Sequence, residues 1–127
     1  REINIHDKIV VSDINNQKIN TPSRRISLLD NSFTLKELVH IFKNYGLKLN
    51  SSGIFEKNIN ADSTYYVANL NEPGYFKNDK DIKGFTFFYV AKNHIYDRYV
   101  SDQMEEDSNM ILKEMNGVFL DNASEEQ

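Results

Sequence analysis

The residue types that could carry chemistry in this 127-residue chain are three histidines, a few acidic clusters and scattered hydroxyls. His6, His40 and His94 stand far apart, none three or four positions from another, so no two-histidine helical metal site is encoded. His40 falls beside the apolar stripe of one predicted helix and His94 at the start of a second. Each reads as a boundary or surface histidine rather than a ligand. Asp79, Asp81 and Gly84 match positions one, three and six of a calcium loop, which needs carboxylates and a glycine there. Lys83 at position five and Val90 at position twelve break that pattern, and a charged connection between strands is the expected reading. Asp102, Glu105 and Glu106 share one side of a predicted helix with no second cluster spaced to meet them, so they read as a solvated face. The five glycines are spread singly, with neither a G-x-S-x-G elbow nor a phosphate-cradling pattern. The chain has no cysteine, which excludes thiolate catalysis and a disulfide framework. The expectation is a protein with no catalytic residues, no metal ligands and no cofactor.

Charge narrows the class of partner. Fifteen Lys and Arg against nineteen Asp and Glu give a formal net charge of -4. Affinity for nucleic acid rests on clustered cations that release counterions from phosphates, so no nucleic-acid partner is expected. The longest basic cluster, Arg24-Arg25, is bracketed by Ser23 and Ser27 and reads as a solvated loop. With 39% apolar and 12% aromatic residues the chain can build one core. No run approaches the roughly 20 apolar residues of a membrane-spanning helix. The first residue is Arg1 rather than Met, and the expectation is that something upstream has been removed, either by trimming to the folded part or by cleavage of a leader.

The elements that must position any site follow from periodicity. Residues 1–32 are polar, with one β-branched run at Ile9-Val10-Val11, a turn at Asn15 to Lys18 and Pro22 in a stretch of little period, and read as an N-terminal arm or weak strands. Residues 33–121 form a single α+β domain, and 122–127 a polar tail. Thr34 and Glu37 have capping-box spacing, Leu35, Leu38, Val39, Phe42 and Tyr45 repeat at helical intervals, and Gly46 supplies a stop, which predicts a helix over 35–45. Ser63 to Leu70 is β-branched and aromatic, followed by a turn at Asn71-Glu-Pro-Gly74. Phe85 to Ala91 is the strongest strand. Phe85, Phe87 and Tyr89 point to one side and Thr86, Phe88 and Val90 to the other, so it is central and both its faces want cover. A second helix is predicted over about 94–107, capped by Asn93, with a stripe of Ile95, Tyr96, Tyr99, Val100 and Met104 and fraying near Asp107. Asn116-Gly117 suits a type I′ turn, which predicts a terminal hairpin of Asn109–Met115 with Val118–Asp121. The result is a two-layer α+β fold, two helices on one face of an antiparallel sheet, in the order (β)αββαββ.

Thr34-Leu-Lys-Glu-Leu-Val with Phe42 and Gly46-Leu-Lys-Leu, then Ala68-Asn-Leu-Asn-Glu-Pro-Gly-Tyr75, then Phe85-Thr-Phe-Phe-Tyr-Val with Asp97-Arg98, occur in an order that resembles small, uncharacterised exported lipoproteins of low-GC Gram-positive bacteria. The resemblance spans roughly residues 33 to 121. It implies an extracellular, cell-membrane-anchored domain that meets the membrane only through a removed lipid anchor, with no catalytic residues.

What remains is a surplus of rings. Tyr65, Tyr66, Tyr75, Phe76, Phe85, Phe87, Phe88 and Tyr89 lie on or beside the predicted sheet, and two helices cover one face of it. Tyrosine gives a contact surface apolar area, a hydroxyl and few rotatable bonds. The expected function is therefore non-enzymatic binding of a protein or cell-envelope component through an open aromatic face, with Tyr66, Phe88, Tyr75 and Arg98 as its candidate residues. The competing reading has the N-terminal arm lying over that face. The alternative function is a small acidic cytoplasmic inhibitor, such as an immunity protein, whose carboxylates neutralise a basic toxin.

Overall fold

The capping box at Thr34 opens the first helix as its spacing predicts. Glu37 N–H donates to Thr34 Oγ1 at 3.1 Å, and Thr34 N–H donates to Glu37 Oε1 at 2.9 Å. Two of the helix's otherwise orphaned donors are thereby satisfied, and α1 runs Leu35–Lys43. Gly46, at φ +78°, ends it: its N–H reaches the Lys43 carbonyl while Leu47 N–H reaches Phe42. Leu38 and Phe42 are the side chains α1 buries.

The computed structural model describes residues 21–61, 63–77 and 80–120. The strand at Ile9-Val10-Val11, the turn at Asn15 to Lys18, His6, Asp79 and the tail 122–127 lie outside them. Among the described residues six strands form one sheet: β1 Ser23–Ser27, β2 Lys48–Leu49, β3 Phe55–Asn60, β4 Ser63–Asn69, β5 Gly84–Phe88 and β6 Val118–Phe119. Their spatial order is β2-β3-β4-β5-β1-β6 and every pairing is antiparallel. The fold is α+β. Along the chain the order is βαββββαβ, with more strands between the helices than the expected pattern holds, because Lys48–Leu49 and Phe55–Asn60 pair into a hairpin that no strong alternation announces. Tight backbone contact sets one junction: a Cβ at Gly84 would stand 2.5 Å from the Ile26 carbonyl, so only glycine fits where β5 meets β1.

The second helix, α2 (Tyr96–Glu114), departs from its prediction at both ends. Asn93 is not its cap; it sits at φ +55°. Instead the Asp97 carboxylate accepts from the N–H groups of Lys92, Asn93 and His94, folding the approach to the helix around one side chain. At the other end the helix does not fray at Asp107 but continues to Glu114, so Asn109–Met115 is no hairpin strand. Acidic residues late in a helix oppose its dipole, but Asp107 is buried against Lys57 Nζ at 2.6 Å, which offsets that cost. The buried stripe is also rotated from the one expected. Val100 and Met104 are buried, with Asp107, Ser108 and Ile111, whereas Ile95, Tyr96 and Tyr99 face solvent.

Both helices lie on one side of the sheet. Phe42 meets Phe55 and Phe85 edge to face at 4.8 and 5.2 Å between centroids, geometry that suits the ring quadrupoles. Ile26, Val67, Phe87, Val100, Met104 and Ile111 complete this core. Arg24-Arg25 is part of β1 rather than a loop. Arg24 lies 3.9 Å from the Phe119 ring and donates to Ser108 Oγ at 2.8 Å.

Candidate functional site

Alternation along the central strands makes two faces of different character. Phe85, Phe87, Tyr65 and Val67 point toward the helices, and their neighbours Thr86, Phe88, Tyr66 and Ala68 must point away. Register brings those four together, since Tyr66 lies opposite Phe88 and Ala68 opposite Thr86 across β4 and β5. Residues directly opposite in an antiparallel pair share a face. Continuing outward, Tyr66 faces Glu56 on β3, while Phe88 faces Ser23 and Thr86 faces Arg25 on β1.

The centre of this second face is apolar. The Tyr66 and Phe88 rings stack at 5.3 Å with 28° between planes. With Ile54 and Ala68 they form a cluster of their own, separate from the main core, and no residue of either helix belongs to it. Ile54 joins through a small loop: Asn50 Oδ1 accepts from the N–H groups of Ser52 and Ile54, and Asn50 Nδ2 donates to Glu56 Oε1 at 3.0 Å.

The four residues singled out from sequence do not form one patch. Tyr66 and Phe88 are neighbours, but they are only 3% and 2% exposed, so the aromatic face is shielded rather than open. The reading in which the N-terminal arm lies over it concerns residues outside those described. Tyr75 is 44% exposed, in the loop after β4 beside Gly53, with Lys77 Nζ 5.4 Å from its ring centroid. Arg98 is exposed in the first turn of α2, on the other layer of the molecule. Sequence reasoning passed over Ile54, Ala68 and Thr86, although the two-residue period that links Tyr66 to Ala68 and Phe88 to Thr86 was there to identify two of them.

On the helix side the polar groups are tied together. Asp107 accepts from Tyr65 OH at 2.7 Å, from Lys57 Nζ at 2.6 Å and from Gln103 Nε2 at 3.1 Å. Burial, then the hydrogen bond and charge of Asp107, push the Tyr65 phenol far above its ordinary value. Tyr45 OH donates to Glu114, and burial with that carboxylate raises it to about 12. These are clamps between helix and sheet. Among the described residues no group of three or more His, Cys, Asp or Glu could hold a metal ion. His40 and His94 are exposed, as are Asp102, Glu105 and Glu106. Asp81 lies 3.8 Å from Lys83, the cation that spoils the calcium-loop pattern.

A family model described as "ZipA, C-terminal FtsZ-binding domain" matches residues 26–126, about four-fifths of the chain. No curated protein matches it. The match overturns the resemblance to exported Gram-positive lipoproteins, whose shared pieces were a capped helix, a proline turn and an aromatic strand that any α+β domain of this order carries. The extracellular, cell-membrane-anchored placement falls with it, and of the two placements the cytoplasmic alternative fits the family. No helix among the described residues is long and apolar enough to cross a membrane. The domain is a protein-binding module and not an enzyme. Through residues 26–126, which take in both helices and the body of the sheet, the chain belongs to the family of ZipA C-terminal FtsZ-binding domains.

Proposed function

We propose that this domain binds FtsZ, and that it does so with the face of the sheet turned away from α1 and α2. The observation that carries the first part is the family match across residues 26–126. The second part is supported by the separate apolar cluster of Ile54, Tyr66, Ala68 and Phe88, to which neither helix contributes. A stacked Tyr-Phe pair at the centre of a sheet offers a wide, rigid surface that loses little rotamer freedom when a partner settles on it. Because these side chains are shielded in the free chain, a segment of FtsZ reaches them only by replacing contacts already made there. The apparent affinity is then the intrinsic affinity reduced by the fraction of molecules in which the face is accessible.

Calorimetric titration of purified FtsZ into the chain tests both parts. Binding is expected for the parent. Phe88→Leu keeps the apolar volume but loses the stacked ring, and is expected to weaken binding about tenfold while the far-ultraviolet circular dichroism stays that of the parent. An absence of binding by the parent removes the function. Unchanged affinity in Phe88→Leu and in a companion Ile54→Ala moves the site to another surface.

A further inference from the structure

The outer surface of α2 carries a pattern that the core does not use. Residues three and four apart on a helix lie one above the other. Ile95, Tyr99, Asp102, Glu106 and Met110 follow that spacing along the helix, and at about 100° per residue they fall within about 80° of one another. Val100, Met104 and Ile111, which α2 buries against the sheet, lie on its other side, so this line points away from the molecule. Ile95, Tyr99 and Met110 are each more than half exposed, and the exposed carboxylates of Asp102 and Glu106 stand between them. Single exposed apolar side chains need no explanation, but three in line at helical spacing make a stripe. Rings widen one end of it: Tyr96 lies 5.9 Å from Tyr99 between centroids, and His94 lies 4.6 Å from Tyr96. Among the described residues no cation pairs with Asp102 or Glu106; the ion pairs there join Lys57 to Asp107 and Lys83 to Asp81.

The order of residue types along the line says what fits it. We propose that the outward line of α2 docks a basic, amphipathic helix of a partner protein, with apolar side chains about 16 Å apart resting on Tyr99 and Met110 and with Lys or Arg between them meeting Asp102 and Glu106. Charge argues against a second copy of this chain as the occupant. Two α2 helices set antiparallel, Tyr99 against Met110, would bring Asp102 against Glu106 twice, and set parallel each carboxylate would face its own copy. Like charges so apposed oppose association, whereas cations of a partner helix are drawn to the site and held in register by it. The same carboxylates repel an anionic lipid surface. A cation placed over the Tyr99 ring gains further from its face. This line is on the helix layer, across the sheet from the cluster of Tyr66 and Phe88, so it is a surface separate from the one assigned above to FtsZ.

Two labelled alanine-based helical peptides of about 18 residues test the assignment. One carries two leucines eleven positions apart with lysines between them on the same face; the other has the same composition in scrambled order. In fluorescence anisotropy the first is expected to bind the chain at least about tenfold more tightly than the second, and less tightly as salt is raised. Tyr99→Gln with Met110→Gln, which keeps good helix formers at both positions, is expected to weaken that binding about tenfold. Asp102→Asn with Glu106→Gln is expected to weaken it about fivefold. Both double variants should unfold within about 2 °C of the parent and bind FtsZ as the parent does. Equal binding of the two peptides would reduce the attraction to net charge, and unchanged binding in both double variants would place the peptide elsewhere; either result overturns the proposal. So does a parent chain that sediments as a dimer and becomes monomeric with Tyr99→Gln and Met110→Gln, because a second copy then covers the stripe. A fall in FtsZ affinity in the folded variants would make the line part of the FtsZ surface and end its claim to be a second one.

Discussion

The two faces of one sheet differ in how completely they are satisfied. On the helix side, Phe42, Phe55 and Phe85 meet edge to face, and the polar residues carried inward are held by partners from distant segments: Asp107 by Lys57, Tyr65 and Gln103, and Ser108 by Arg24. On the other side a single stack, Tyr66 on Phe88, stands beside Ala68 and a threonine whose hydroxyl has no partner. The first arrangement has its interactions complete within the chain. The second buries a smaller apolar cluster and, on Thr86, a hydroxyl without a hydrogen-bond partner. On the proposed reading, stability and recognition are divided between faces, and alternate residues of β4 and β5 serve both.

That division can be broken by substitution. The largest effect is expected at Phe42, fully buried where α1 meets two rings of the sheet. Phe42→Ala should cost about 3–5 kcal/mol of stability, by lost burial and the cavity left behind, measured as the shift in urea midpoint. Any loss of FtsZ binding should follow the unfolded fraction and vanish where the variant is folded.

Next in size is Asp107. Asp107→Ala leaves the buried Tyr65 hydroxyl and the Lys57 ammonium without their shared acceptor, and should cost about 2–3 kcal/mol. Equilibrium unfolding should show this cost, while FtsZ affinity at a temperature well below the midpoint stays at the parent value. A drop in affinity there would mean that the two faces are coupled through β4.

The smallest effect sharpens the comparison through pH. Tyr65 and Tyr45 both have phenols raised above the ordinary 10, by burial first and by Asp107 or Glu114 next. An unfolded chain sheds these protons near pH 10 while the folded chain keeps them, so their contribution is whole below pH 10. It is lost as pH rises, through about 12 for Tyr45 and higher still for Tyr65. Urea midpoints taken at pH 8, 10 and 11 should fall over the upper interval. Tyr65→Phe should flatten that fall, and a variant that falls as steeply as the parent would remove Tyr65 from the account.

How far the sequence could be read depended on the range of the interaction that decides each feature. Thr34, Glu37 and Gly46 set both ends of α1 through contacts within a few residues, and alternation from Phe85 to Phe88 set the two sides of β5. Those were readable, as was the α+β class. The extent of α2 was not: its late carboxylates argue for fraying until Lys57, fifty positions earlier, is brought to Asp107. Nor was the part played by Arg24, which reads as a solvated cation until Ser108 and Phe119 fold beside it. At the site, the rings Tyr66 and Phe88 were picked out by type, but their shielding, and the separation of Tyr75 and Arg98 from them, depend on where other segments pack. Local hydrogen bonds and periodic apolar patterns are written in adjacent residues, so the chain by itself determined its elements and their faces. Which buried groups find partners, and which are left without, is settled only when residues far apart in sequence meet, because desolvation has no meaning for a side chain until its surroundings exist.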